Sequence, residues 1–328
     1  MTATVTDLAV RSLAGMVDLD VERTQYRGHA RELAAASDTD LVIVHGGDGS
    51  INEAVNGIMG RANGRPRVAV IPGGGANVLA RALGVPLDAA AAIRQLRGAI
   101  AAGRHRTIGL GRAADRYFTF SAGLGMDAEV VREVERMRAQ GRRESVALFL
   151  RAMVRQYYRG TDRHQPALRL ERDGEPPING LFMTIITNRS PWTYFRGRPL
   201  LPVPNPDFNS GLDLLALRRI RLTTILNAVG QMLYTRSRPA HGPGHAVCTG
   251  FGIAHAALGP ADRAPGRRRI SRRDGSGHIR LRAACAAHRG VIPEGRLILL
   301  KRREQNVIDL TLNSAEGPPW PLALVNLP

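Results

Sequence analysis

Lysine is nearly absent from this 328-residue chain: Lys301 is the only one, although lysine and arginine together number 46 against 28 acidic residues. The formal charge of +18 is therefore carried by arginine, as expected where a GC-rich gene encodes arginine in place of lysine. Cysteine is almost as scarce. Cys248 and Cys285 are too few for a disulfide scaffold, and neither has metal-ligand spacing around it, which excludes a zinc site. No apolar run reaches the roughly 18 residues a membrane-spanning helix needs. The start, MTATVTDLAV, lacks the basic-then-apolar layout of a signal peptide, so a cytoplasmic protein is expected. Zinc-finger spacing, an aromatic RNA-binding signature and a helix-turn-helix are all missing, so no nucleic-acid partner is expected. The basic surface suits anionic lipid instead. Internal repeats are missing too.

What is present is an ordered alternation. Residues 28–37 read as a helix. Asp40–His45 is a continuous apolar run of strand length, typical of a strand covered on both faces. A glycine loop, Gly46–Ser50, follows it, then helical spacing over Ile51–Met59. Arg67–Ile71 is the next strand, Pro72–Asn77 the next loop, and Val78–Leu83 opens another helix. Strand, glycine loop and helix twice in succession predict an α/β domain on a parallel sheet with right-handed crossovers. Helical Asp88–Ala102 closes it. Past Gly103 the pattern becomes mainly β, with strands over Thr107–Leu110, Tyr117–Phe120, Ala167–Glu171, Leu181–Thr187 and Leu212–Leu217. Helices interrupt it at Asp127–Ala139, Glu144–Tyr158 and Leu222–Tyr234, and Asp173-Gly174 is a hairpin signal. The expected organisation is a nucleotide-binding α/β domain over 1–105, a β-sandwich domain with inserted helices over 106–251, and a tail over 252–328.

The two glycine loops carry the chemistry. The first, HGGDGSINE over 45–53, leaves a buried strand and opens a helix, where turned-in amides and the helix dipole favour an anion. Ser50 and Asn52 can donate to phosphate oxygens; Asp48 suits a metal or a ribose hydroxyl. The Lys-Ser/Thr pair of a P-loop is missing. The second, PGGGAN over 72–77, is built likewise. Two such loops from adjacent strands can flank one nucleotide.

These loops, GGDGSINEAVNG and PGGGANVLARALGVP, resemble the diacylglycerol kinase catalytic family. Thr24–Ala30 (TQYRGHA) resembles its nucleotide segment, Ser121–Val130 its Gly-Asp-Ala segment, and Pro204–Leu217 its magnesium-associated segment. The resemblance covers about residues 5–251 and is nearest the actinobacterial branch. It implies an ATP-dependent lipid kinase that transfers phosphate to diacylglycerol or a similar lipid. ATP would be held by Thr24, Gly46, Gly47, Asp48, Gly49, Ser50, Ile51, Asn52, Gly75 and Asn77. Mg2+ would be served by Asp207, Ser210 and the backbone of Leu212. A lipid partner at the membrane surface, a peripheral place at the inner membrane face and room for a homodimer complete the implication. Arg142, Arg143, Arg151 and Arg155 are candidates for anionic headgroups. An NAD kinase-like enzyme and an inactive pseudokinase or non-functional gene product are the alternatives.

The chain also departs from that family. The expected first strand would precede Met1. Gly75 and Ala76 replace hydroxyl residues, and Ser210 replaces an aspartate. No catalytic residue is assigned, because the family's late Asp-Gly-Glu is missing: Asp173-Gly174-Glu175 lies too early, and Asp274-Gly275-Ser276 lacks the carboxylate. Codons for Ala264–Gly275 can be chosen so that dropping one base restores Asp-Gly-Glu. The tail is therefore expected to be out of frame or disordered.

Overall fold

The computed structural model describes residues 2–140 apart from 63 and 114, most of 146–233, and five later strands, His245–Phe251, Ile253–Leu258, His278–Arg282, Arg296–Lys301 and Leu324–Asn326. The chain divides into two compact units. One holds residues 1–108 with 292–328, the other residues 109–291.

The first unit is an α/β sheet. Asp18–Arg23, Leu41–Gly46 and Arg67–Pro72 run in one direction, and the last two pair in parallel from Leu41 opposite Arg67 to Gly46 opposite Pro72. Every residue of Leu41–Gly46 is buried, as its unbroken apolar run requires. One face carries Ile43, Ala69 and Ile71, which join Ala9 and Leu13 of helix Thr2–Leu13 and Ile93, Leu96 and Ala99 of helix Ala89–Ala101. Asp88 caps the latter helix, its carboxylate accepting the Ala91 amide at 2.8 Å.

The expected parallel pairing is present between Leu41–Gly46 and Arg67–Pro72, and the sheet as a whole is mixed. Arg296–Lys301 sits between Asp18–Arg23 and Leu41–Gly46, antiparallel to both, with Leu299 opposite Asp20 on one side and Val42 on the other. Leu324–Asn326 lies between Arg67–Pro72, to which it is antiparallel, and Arg106–Thr107, to which it is parallel. A parallel strand–helix–strand unit normally skips sideways while its helix crosses the sheet. Here helix His29–Ala36 makes that crossing and leaves a position between its two strands, which the late segment fills.

The second unit contains two large antiparallel sheets and the two-stranded pair Thr193–Phe195 with Arg198–Leu200, with helices inserted. One sheet orders His245–Phe251, Leu212–Leu217, Met183–Thr187 and Ser121–Gly125; the other brings Leu168–Arg172 and Glu175–Leu181 together with Ile253–Leu258, His278–Arg282, Gly111–Ala113 and Arg116–Phe118. Their shared core contains Phe118, Leu168, Leu170, Leu181, Ile186, Leu212 and Leu214. The expected hairpin joins Leu168–Arg172 to Glu175–Leu181, while Asp173 and Gly174 lie outside the described residues, as does Asp274-Gly275-Ser276. Helix Met126–Ala139 meets Val146–Arg155, where Glu133 accepts from Arg136 at 2.8 Å and pairs with Arg155 at 3.4 Å. That hydrogen bond holds the Glu133 carboxyl below its ordinary range. Of the arginines expected to face lipid, Arg151 is exposed and Arg155 is engaged with Glu133; Arg142 and Arg143 lie outside the described residues. No helix among the described residues is long and apolar enough to cross a membrane.

Helix Asp48–Met59 is buried continuously from Ser50 to Ile58, so it cannot be amphipathic in the usual sense. Its Gly57 lets helix His29–Ala36 come close: a Cβ there would stand 2.2 Å from the Arg31 carbonyl oxygen and 3.0 Å from the Ala35 amide nitrogen. Gly57→Ala should therefore force the two helices apart and cost about 1–3 kcal/mol, read as a lower urea midpoint. An unchanged midpoint would mean that the helix pair yields freely.

Candidate nucleotide site

Because Asp18–Arg23, Leu41–Gly46 and Arg67–Pro72 run the same way, the segments that follow them leave the sheet at one end. They are Thr24–Gly28, Gly47 with the start of helix Asp48–Met59, and Gly73–Asn77. That end of a parallel sheet is where ligands bind in open α/β folds.

The two glycine loops are pressed together. The Gly73 amide donates to the Gly46 carbonyl at 2.9 Å, carrying the strand pairing one step past the sheet. A Cβ on Gly74 would lie 2.6 Å from the Gly47 Cα, and one on Gly47 would lie 3.1 Å from the Gly74 Cα. Backbone meets backbone here, and only glycine permits it.

Asp48 ties the contact down. Its Oδ2 accepts the Val78 amide at 3.0 Å and its Oδ1 the Leu79 amide at 3.1 Å. The carboxylate thus caps the next helix, Val78–Ala82, from across the loop pair, using charge-assisted bonds at a positive helix terminus. Expected to meet a metal or a ribose, Asp48 here has both oxygens on backbone amides.

Asn77 closes the second loop on itself. It takes the left-handed conformation at φ 48°, one that asparagine adopts more readily than most residues. Its Oδ1 accepts the Gly74 amide at 2.9 Å, and its Nδ2 donates to the Gly74 carbonyl at 2.8 Å. Arg81 then donates from Nε to the Ala76 carbonyl at 3.1 Å. The Asn77 side chain shapes the loop with both ends of its amide.

Ser50 and Asn52 differ from these clamps. Both are buried, and Ser50 Oγ and Asn52 Oδ1 have no hydrogen-bond partner. Burying an unsatisfied polar atom costs about 1–3 kcal/mol, so such atoms in the first turns of a helix at the ligand end of a sheet fit a ligand or ordered water. Gly75 offers room, because a Cβ there would meet nothing within 4 Å. Gly49 lies in the helix's first turn, where amides lack intrahelical partners. Ile51 is fully buried in the core, so it can offer only backbone. Thr24 is buried at the end of Asp18–Arg23.

Glu53, quoted within the motif but given no role from sequence, proves to be a second clamp. Its Oε1 and Oε2 accept the Gly28 amide at 3.0 and 2.9 Å, where Gly28 precedes helix His29–Ala36 at φ 95°. Glu53 lies on the same helix as Asp48, where a carboxylate amid buried residues must have a partner. One helix therefore holds the neighbouring segment on either side.

The expected magnesium residues stand as follows. Asp207 and Ser210 lie outside the described residues. Leu212 belongs to the second unit, buried in its core and paired opposite Phe251. Among the described residues, no group of three His, Cys, Asp or Glu side chains could hold a metal ion.

Two outcomes test the loop geometry. Asp48→Ala should lower stability by about 1–3 kcal/mol, with Asp48→Asn intermediate because one acceptor oxygen remains; thermal unfolding reads both. Gly74→Ala should be strongly destabilising and Gly75→Ala neutral. Equal effects at the two glycines would contradict the close approach of the loops.

Comparison with known proteins agrees with this layout. The chain is 41% identical over 106 residues to a diacylglycerol kinase of Bacillus subtilis (strain 168), covering 32% of this chain and 34% of that protein. It is 40% identical over 99 residues to a diacylglycerol kinase of Staphylococcus epidermidis, covering 30% of each. The chain thus spans about a third of the length of the curated relatives it matches. A solved structure from Bacillus anthracis str. Sterne, described provisionally as a diacylglycerol kinase, shares the fold with a TM-score of 0.59 at 19% identity, over 91% of this chain and 89% of that one. The family model of the diacylglycerol kinase catalytic domain matches residues 4–113, the stretch that contains both glycine loops.

Proposed function

We propose that this chain binds ATP at the paired glycine loops and is built for phosphoryl transfer to the hydroxyl of diacylglycerol or a similar lipid. The observation that carries the reading is the pair of orphaned buried atoms, Ser50 Oγ and Asn52 Oδ1, beside a backbone cradle with room at Gly75. Phosphoryl transfer asks a protein mainly to position groups and offset charge. The Ser50 hydroxyl can donate to a phosphate oxygen, and the free amides at the start of helix Asp48–Met59 complement its charge. Asp48 and Glu53 act one step away, fixing the two loops that would face the nucleotide. Bound Mg2+ would neutralise charge on the phosphates, and the described residues contain no set of carboxylates built to cage it. The lipid would be met at the bilayer surface.

A positioned general base typically contributes about 10²–10⁴-fold to proton transfer. The sequence lacks the late carboxylate expected for that role, so transfer should be slow relative to binding. The decisive assay incubates the full chain with magnesium and radiolabelled ATP over vesicles containing diacylglycerol, with NAD as the competing acceptor. Saturable ATP binding with slow labelling of the lipid is expected. Labelling of NAD, or failure to bind ATP, would refute the proposal; ATP binding with no transfer would leave the pseudokinase reading in its place.

A further inference from the structure

The segment that follows strand Asp18–Arg23 holds an aromatic arrangement that the phosphate chemistry does not use. Tyr26 is 53% exposed. Its ring lies against the His29 imidazole with centroids 4.6 Å apart and planes inclined by 12°, a parallel stack. Its hydroxyl donates to the Glu32 carboxylate, which holds the phenol above its ordinary pKa. His29 is fixed in turn, with its Nδ1 accepting the Gln25 amide at 3.2 Å.

An exposed tyrosine ordinarily samples several rotamers. This one is held at two points, with one ring face on His29 and about half of its surface open to solvent. It stands two residues before Gly28, whose amide is gripped by Glu53. Glu53 belongs to the helix that carries Ser50 and Asn52, so the aromatic pair is anchored to the frame of the phosphate cradle. The segment also leaves the sheet at the end from which both glycine loops emerge.

A rigid aromatic face with its orientation already set offers contact area at low entropic cost. Flat π-systems are its natural occupants, and nucleobases stack on such faces whatever their hydrogen-bonding edges. We infer that the Tyr26–His29 stack is the platform for the nucleobase of the nucleotide whose phosphates lie at the glycine loops. The inference rests on the proposed nucleotide site and adds the residues that read the other end of the molecule. Because stacking is indifferent to the base edge, the platform favours purines over pyrimidines by area and discriminates weakly between adenine and guanine.

The test separates base from phosphate. Binding of ATP and of inorganic tripolyphosphate to the full chain is measured by calorimetry, in the presence of magnesium, for the wild type, Tyr26→Ala and Tyr26→Phe. Tyr26→Ala should weaken ATP binding by about five- to a hundredfold and leave tripolyphosphate binding unchanged. Tyr26→Phe keeps the ring and should bind ATP within about threefold of wild type, on the same stacking argument. Unchanged ATP affinity in Tyr26→Ala overturns the inference while leaving the phosphate site standing. Equal loss of both ligands overturns it too, since it would make Tyr26 a structural support. A wild type that binds neither ligand defeats the nucleotide reading itself. Should Tyr26→Ala fail to fold, Tyr26→Trp supplies the readout: its emission, taken as a difference over Trp192 and Trp320, should change on adding ATP and not tripolyphosphate. No change with ATP counts against the platform.

Discussion

The carboxylate of Asp48 is the constraint on which the first unit's ligand end depends. By accepting the Val78 and Leu79 amides, it fastens the start of one helix to the start of another. The two loops between them are thereby held at backbone contact. Gly47 and Gly74 follow from this, because no side chain fits where their Cα atoms meet. Asn77 follows as well: a loop this tight must turn through the left-handed region before the helix it opens, and the asparagine amide satisfies Gly74 on both sides as it does so. With the carboxylates of Asp48 and Glu53 and the amide of Asn77 all spent on backbone, the polar atoms left over at this end are those of Ser50 and Asn52. The division is chemical. Charged groups build the cradle, and neutral groups are left free to face what enters it.

That division explains which parts were legible in the sequence. The strand–loop–helix repeats of the first unit could be read because a fully covered strand writes an uninterrupted apolar run, as in LVIVH, and a tight loop writes consecutive glycines. The role of Asp48 could not. A charged residue inside a glycine loop reads as a ligand, and only three-dimensional contact reveals that it caps a helix some thirty residues later. Glu53 was hidden for a related reason. Helix Asp48–Met59 is buried on nearly every side, so its sequence lacks the polar stripe that would have marked a partnered acid. Tyr26 lay inside the quoted segment TQYRGHA but was given no role there; its orientation comes from His29 and Glu32 on the following helix, one and two turns along.

In the second unit the expected strands Ala167–Glu171, Leu181–Thr187 and Leu212–Leu217 lie close to Leu168–Arg172, Met183–Thr187 and Leu212–Leu217, but Gly111–Ala113, Ser121–Gly125 and the strands past residue 244 were not read, and neither was the pairing. Leu168–Arg172 lies beside Ile253–Leu258, a separation no local pattern specifies. A further interaction shows how the unit fastens its own entry. Asn188 is buried at the end of Met183–Thr187, and its Nδ2 donates to the Gly109 carbonyl at 2.7 Å and the Thr119 carbonyl at 3.3 Å. Its amide donates to the Phe120 carbonyl at 2.8 Å. The first residues of the unit are thus pinned to a strand nearly eighty residues later. Periodicity reports which face of an element is covered; it does not report what covers it.

The central position of the first sheet carries this point furthest. Asp18–Arg23 and Leu41–Gly46 are not paired with each other; what joins them is Arg296–Lys301, bonded to both. Its sequence, RLILLK, contains a short apolar run of strand type, but that run stands in an arginine-rich and proline-rich setting that obscures it. Physically the consequence is large. Without that strand, two inner edges would present unpaired amides and carbonyls, and buried backbone groups without partners are costly. The loop Thr24–Gly28 would then hang from a detached strand, held to the glycine loops by Glu53 and by the packing of helix His29–Ala36 on helix Asp48–Met59. Such pairing also spans most of the chain, and long-range strand contacts must overcome loop-closure entropy before they contribute stability. The sheet that presents the glycine loops therefore cannot be complete until residues near 300 have joined it. In this architecture the local geometry at Asp48 and the distant strand are not independent supports: the first sets the shape of the cradle, and the second decides whether the segment carrying Tyr26 is held beside it.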